Sequence, residues 1–353
     1  MGILFGFLLF SLLIFVHEFG HFIAAKASGV RVNEFSIFMG PAIFKKQVGE
    51  TLYALRCIPI GGYCAMEGEN EDTEDPRSFQ KAAWWKRLII LVAGAFMNFV
   101  VGLLIFAILF LPGNQVVKPV VTEFMDCCIF NNENGLQLGD EILELDGEKI
   151  YINPDISMIL ELNNKVNHDV VVKRGDEIVV LKDLKMAHTH TNDEGKEYLH
   201  YGFDFGEAQT VGFLGKVDFV WKNTIDNVRN VRMSLQMLMS GKAGLGDMTG
   251  MVGVIDLMSD SAAAAPTTMD AVLNVLYIGG FLAINLAVMN MLPIPALDGG
   301  RVFGLLLTTV IEGITRKKLN PKYEGYIHGI GMVLLLALMA LILFKDIFTI
   351  FKG

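Results

Sequence analysis

Leu13-Ile14-Phe15-Val16-His17-Glu18-Phe19-Gly20-His21-Phe22-Ile23 decides how this chain is read, because it sets three ionisable side chains inside an apolar run covering about residues 2–25. A hydrocarbon core of about 30 Å is crossed by roughly 20 helical residues, so the run is long enough to span a bilayer. Helix residues four apart differ by only about 40° around the axis, so His17 and His21 point the same way and can share one metal ion. Glu18 is turned about 100° from His17, toward water activated at such a metal. The chemistry this suits is amide hydrolysis: zinc polarises the carbonyl while the carboxylate takes a proton and returns it to the leaving amine. The bland reading is that these are ordinary polar residues closing an apolar helix. Against it, a centrally placed charge in a membrane helix costs about 2.5–3.5 kcal/mol on insertion scales.

Composition agrees with a membrane protein. Of 353 residues, 52% are hydrophobic and 19% charged, with a mean hydropathy of +0.45; soluble domains carry about 25% charged residues. The net charge is -9, and the chain has no long basic run, which argues against a nucleic-acid surface. Cys57, Cys64, Cys127 and Cys128 form no CxxC pair, and adjacent cysteines make no ordinary unstrained disulfide. A metal must therefore be held by histidine and carboxylate.

Four apolar segments predict transmembrane helices, at about 2–25, 88–111, 270–292 and 327–349. The first lacks a basic leader and an A-x-A-like site, so it reads as retained rather than as a cleaved signal. Lys26, Arg31, Lys45, Lys46, Lys81, Lys86 and Arg87 lie between spans one and two, and Arg316, Lys317, Lys318 and Lys322 between three and four. The positive-inside rule makes both loops cytoplasmic and puts both termini outside. The expected organisation is a first span with the HExxH motif (1–30), a cytoplasmic loop with a β-hairpin (31–86) and a second span (87–112). An extracytoplasmic β-rich domain (113–208), an extracytoplasmic amphipathic helix and loop (209–269) and a third span (270–300) follow, then a cytoplasmic loop (301–325) and a fourth span (326–353). Asp169–Arg174 and Glu177–Leu181 flank Gly175-Asp176, a hairpin signal. Phe213, Val217, Val220, Trp221, Ile225, Val228, Val231, Leu235 and Leu238 recur at helical spacing, which suits a helix on the outer membrane surface, or one packed on the soluble domain.

Hydrolytic zinc takes three protein ligands and keeps one position open. Asn290-Met291-Leu292-Pro293-Ile294-Pro295-Ala296-Leu297-Asp298-Gly299-Gly300 closes the third span, and its two prolines break helical hydrogen bonding there. Asp298 is the natural third ligand. His17 lies roughly 22 Å along a span that starts outside, so it nears the cytoplasmic leaflet, the same side to which the third span delivers Asp298.

HEFGH and NMLPIPALDGG resemble the site-2 protease family of intramembrane zinc metalloproteases, in its bacterial sigma-E protease type. Gly61-Gly62-Tyr63 with Met66 and Gly68-Glu69, Trp85-Lys86-Arg87 with Ala93-Gly94-Ala95-Phe96-Met97-Asn98-Phe99, and Thr249-Gly250-Met251-Val252-Gly253-Val254 resemble further stretches of that family. Ala95 and Met251 stand where the family usually has proline. The resemblance implies that His17, His21 and Asp298 bind Zn2+, that Glu18 is the general base, and that Asn98 and Asn290 line the substrate path. From the residues alone, Asn98 is an amide in an apolar span that either opens a substrate's hydrogen bonds or joins two spans. The resemblance also implies a polytopic α-helical membrane protein of the bacterial cell membrane with a cytoplasmic β-hairpin dipping into the bilayer.

A helical substrate hides its scissile amide in its own hydrogen bonds and must be unwound before it is cut. The alternating segments 30–38 and 51–58 around Gly49-Glu50 predict that hairpin, and an exposed strand edge near Gly61, Gly62 and Tyr63 is expected to clamp the extended substrate by strand addition. The alternative is a covered sheet with no substrate role. Asn134–Gly147 resembles the PDZ signature, and the family resemblance implies a domain that filters substrates by size. The expected substrates are single-pass membrane proteins such as anti-sigma factors or signal-peptide remnants, cut near the cytoplasmic face of the lipid bilayer. The competing class is a non-proteolytic PDZ membrane scaffold with a structural metal. Structural zinc, however, is usually four-coordinate and rich in cysteine.

Overall fold

The computed structural model describes residues 2–69, 73–125, 134–191, 197–242, 244, 250–316 and 322–352. Along the chain run α1 (Gly2–Ser28), β1 (Val32–Val48), β2 (Thr51–Met66), α2 (Trp84–Phe110), β3 (Gln115–Phe124), β4 (Glu141–Leu145), β5 (Glu148–Lys149) and α3 (Pro154–Asn163). After them come β6 (Asn167–Arg174), β7 (Glu177–Lys185), β8 (His188–Thr191), β9 (Glu197–His200), β10 (Phe203–Thr210) and α4 (Phe213–Met239). The last elements are α5 (Met251–Ala263), α6 (Thr268–Asn290), α7 (Asp298–Thr315) and α8 (Lys322–Lys352). Two compact units result, one from residues 1–105 with 244–353, the other from 106–243.

In the first unit, three helices among the described residues are long and apolar enough to cross a membrane: Gly6–Ser28 of α1, Trp84–Phe110 and Thr268–Asn290. In α8 the apolar described stretch is Gly329–Lys345. The region read as the loop 301–325 contains most of α7, and α5 is a helix where no helix was expected. Thr249, Lys317 and Lys318 lie outside the described residues. Ala25, Phe35, Cys64, Ile90, Leu91 and Leu305 share one core, so α1, the β1–β2 hairpin, α2 and α7 converge on a common apolar centre.

The hairpin folds back on itself. Phe35 pairs with Tyr53 on one side and Cys64 on the other, and Ile37 likewise with Leu55 and Gly62, while Phe44 pairs with Leu55 from beyond the kink. Four segments therefore lie side by side in the order 44–48, 51–55, 34–37, 62–65, the outer two pairings antiparallel and the central one, 51–55 with 34–37, in parallel register. Positive φ at Gly40 and Gly61 marks the kinks, a conformation glycine adopts without a Cβ penalty. No strand pairs with the outer edge of 62–65 among the described residues.

The second unit is β-rich, with strand order β10-β3-β4-β6-β7 and β5 pairing with β4. Asp146-Gly147, both at positive φ, turn β4 into β5, as expected of an Asp-Gly hairpin loop. β6 and β7 pair around Gly175-Asp176, with Arg174 opposite Glu177. Pro154 starts α3, and Asn164 in the left-handed region ends it. Ile142, Leu145, Ile156, Ile159, Val170 and Val172 form its core. Cys57 and Cys64 are free thiols, and Cys127 and Cys128 lie outside the described residues.

The helix expected over the amphipathic stretch is α4, and its buried face is partly polar. Asn223, Thr224, Asp226 and Asn227 are buried together with Val220, Val231 and Met233, whereas Phe213, Val217 and Trp221 are exposed. Asp226 and Arg229 explain this, because they pair with each other and Arg229 also pairs with Asp155 of α3. Charge pairing and the burial of Val231 and Met233 together set the docked face.

Candidate metal centre

Helix α1 carries His17 and His21 on successive turns, and α7 begins at Asp298. Asp298 Oδ2 lies 3.1 Å from Nε2 of His17 and 3.1 Å from Nε2 of His21, and the two Nε2 atoms are 3.2 Å apart. His21 Nδ1 donates to the Ile90 carbonyl at 2.8 Å. A carbonyl only accepts, so the proton sits on Nδ1 and the Nε2 lone pair faces His17 and Asp298. Three lone-pair donors that crowd together without a cation repel one another. A tetrahedral zinc with bonds of about 2.0–2.2 Å separates its ligand atoms by about 3.3 Å, which matches this triangle. The donor set fits zinc.

Two glycine positions make the approach possible. A Cβ on Gly94 of α2 would meet His21 Nε2 and lie 2.8 Å from His17 Cε1, and one on Gly20 would run into the Ala93 carbonyl. Gly94 belongs to the Ala93–Phe99 stretch singled out in the sequence, yet its role as the floor under both imidazoles follows only from the packing. Gly299 and Gly300 serve the turn before α7, because a Cβ at either would strike the carbonyls of Leu292 or Ile294. The Leu-Asp-Gly-Gly sequence thus lets the first turn of α7 press against the broken end of α6.

The remaining residues of interest fall at different removes. Asn290 closes α6, and its side-chain amide is 3.4 Å from His17 Nδ1. Asn98 is buried on α2, and its Oδ1 has no hydrogen-bond partner. It is four residues after Gly94, hence on the same helix face. Glu18 is half-buried, and a Cβ on Gly62 would lie 3.4 Å from its Cγ. Tyr63 stacks under Arg56, whose guanidinium is 5.4 Å from the ring centroid. Glu69 is paired with Arg301 of α7, so the Gly68-Glu69 stretch reaches the residue just after Gly299-Gly300, a contact that no local pattern announces.

In the second unit, a cavity of about 900 Å³ lies between α3 and the approach to β10, lined by Leu160, Glu161, Tyr201, Phe203 and Met237 among others. β10 is the end strand of its sheet.

The profile of peptidase family M50 matches residues 5–338. A protein of Clostridium perfringens named as a zinc metalloprotease is 35% identical over 348 residues, covering 98% of each chain. One of Fusobacterium nucleatum with a similar name is 33% identical over the whole of both chains. The regulator of sigma-W protease RasP of Bacillus subtilis is 26% identical over 98% of this chain and 97% of its own.

Proposed function

This chain belongs to peptidase family M50, the site-2 protease family, and from that membership among membrane-embedded zinc metalloproteases we propose that it is an intramembrane endopeptidase. Its substrates are transmembrane segments of single-pass proteins, with anti-sigma factors and signal-peptide remnants as the fitting classes, since the RasP relative is named for sigma-W regulation. In this reading α8 supplies a fourth span, the loops rich in Lys and Arg face the cytoplasm, and the cut falls near that side. The observation that carries the proposal is the meeting of His17, His21 and Asp298 within 3.1–3.2 Å of one another on α1 and the turn after α6.

His17, His21 and Asp298 hold the metal. Zinc bound there supplies Lewis acidity, polarising an amide carbonyl and lowering the pKa of water toward about 7. Glu18 takes the proton from the attacking water and returns it to the amide nitrogen as the C–N bond breaks. The open edge at 62–65 pairs with the unwound substrate backbone, and Gly62, bare of a side chain, brings that backbone beside Glu18. The unpaired Oδ1 of Asn98 accepts an N–H that the substrate loses on unwinding, while Asn290 steadies the His17 ring. The β-rich unit acts as a PDZ gate, its cavity beside an end strand admitting an extended peptide and excluding bulky ectodomains.

The test is mass spectrometry of a single-pass membrane substrate incubated with the purified chain and with Glu18→Gln. Cleavage inside the membrane segment by the first alone, with equal zinc in both, supports the proposal. Equal cleavage by both, or cuts confined to soluble segments, overturns it.

A further inference from the structure

β8 and β9 form a two-stranded sheet of four residues per strand, hydrogen-bonded to no other strand among the described residues. Such a hairpin is marginally stable in water by itself. Side chains repeat every two residues along a strand, so His188 and His190 share a face, and the register sets His200 directly opposite His188. The rings gather there, with centroids 5.8 Å apart for His188 and His190, 6.5 Å for His188 and His200, and 5.3 Å for His190 and His200. One nitrogen of each lies within 4.8 Å of the others. Independently, His188 Nε2 is buried without a hydrogen-bond partner. A buried polar atom left so is costly, and an ion is one of the few occupants that accounts for it.

We infer that His188, His190 and His200 form a second metal site, which takes a divalent ion of the zinc class and is separate from the centre at His17, His21 and Asp298. Imidazole suits zinc, and three imidazoles with one open position are an established coordination. Tetrahedral zinc needs its nitrogens about 3.3 Å apart, so closing the site takes only small ring rotations from separations of up to 4.8 Å. The gain goes to the hairpin, because an ion that binds only the folded arrangement stabilises it by mass action. His200 also lines the 900 Å³ cavity beside α3, so an occupied site fixes one wall of that cavity.

The experiment uses the full chain in detergent micelles, stripped with a chelator, equilibrated with zinc chloride, and read as zinc per chain by elemental mass spectrometry after gel filtration. The expected result is two zinc ions for the unaltered chain, one for His17→Ala/His21→Ala, one for His188→Ala/His190→Ala, and none when all four are changed. In the His17→Ala/His21→Ala chain, zinc should also slow amide exchange in β9. The inference is overturned if that chain holds no zinc, or if its zinc survives the added change of His188 and His190. Should the double change disturb folding, His200→Gln in the same background gives the same reading: loss of the remaining zinc supports the site, and its retention removes it.

Discussion

Gly62 faces Glu18 across the α1–hairpin contact: a methyl on its Cα would lie 3.4 Å from Glu18 Cγ and 3.0 Å from the Ser36 carbonyl oxygen. Overpacking of this kind costs about 1–3 kcal/mol. Gly62→Ala should therefore push the edge strand away from Ser36 without touching the metal ligands, and lower kcat/KM roughly tenfold to a hundredfold. Zinc content measured beside cleavage rate checks this; zinc lost in parallel with activity would place the effect at the metal instead.

Gly94→Ala is expected to act the opposite way round. Its methyl would occupy the space of His21 Nε2 and press on His17 Cε1, so zinc affinity should fall by about a hundredfold or more. Competition with a chromophoric chelator reads it. Asn290→Ala should weaken zinc more mildly, by about tenfold, because the amide meets His17 at the ring nitrogen away from Asp298.

The HExxH pair was legible because helical periodicity brings residues four apart together whatever the rest of the fold does. Asp298, singled out at the broken end of the third apolar segment, does lie 3.1 Å from both imidazoles. Other features depend on partners far away in sequence. Gly94 reads as one more small residue in an apolar span until α2 is laid against α1. The polar part of the docked face of α4 depends on Asp155 of α3, far away in sequence, which pairs with Arg229, while Val220 and Val231 of the apolar set are also buried. His188 and His190 show an alternating pattern, but only the pairing of β8 with β9 brings His200 to them.

Asp140, within the stretch resembling a PDZ signature, is wholly buried and held by Arg174. Arg174 Nε donates to Oδ1 and Nη2 to Oδ2, both at 2.8 Å, and the Gln137 N–H donates to Oδ2 at 2.9 Å. Removing one partner strands a buried charge. Arg174→Ala should destabilise the β-rich unit by about 3–5 kcal/mol, seen as faster limited proteolysis between residues 115 and 210. Proteolysis kinetics indistinguishable from the parent chain would show that Asp140 finds another partner.

Asp226 is pushed up to about 8, first by burial and then by the neighbouring Asp155, against the pull of Arg229. Arg229 Nη2 serves both carboxylates, donating to Asp226 Oδ1 at 2.7 Å and pairing with Asp155 Oδ2 at 2.6 Å. One cation thus faces two acids, and the folded state keeps a proton that the unfolded chain gives up near the ordinary carboxyl value of 3.8. Between those two values the native state binds more protons than the unfolded state, so stability falls as pH rises and levels off above about 8. Protection of α4 amides, corrected for intrinsic exchange, should be greater at pH 6 than at pH 9 by on the order of 1–3 kcal/mol. Asp226→Asn removes the titrating group but keeps a polar side chain for Arg229 and Asn230, so its protection should vary little over the same interval. A parent chain whose α4 is as well protected at pH 9 as at pH 6 would mean that the pair sheds its proton without loosening the helix.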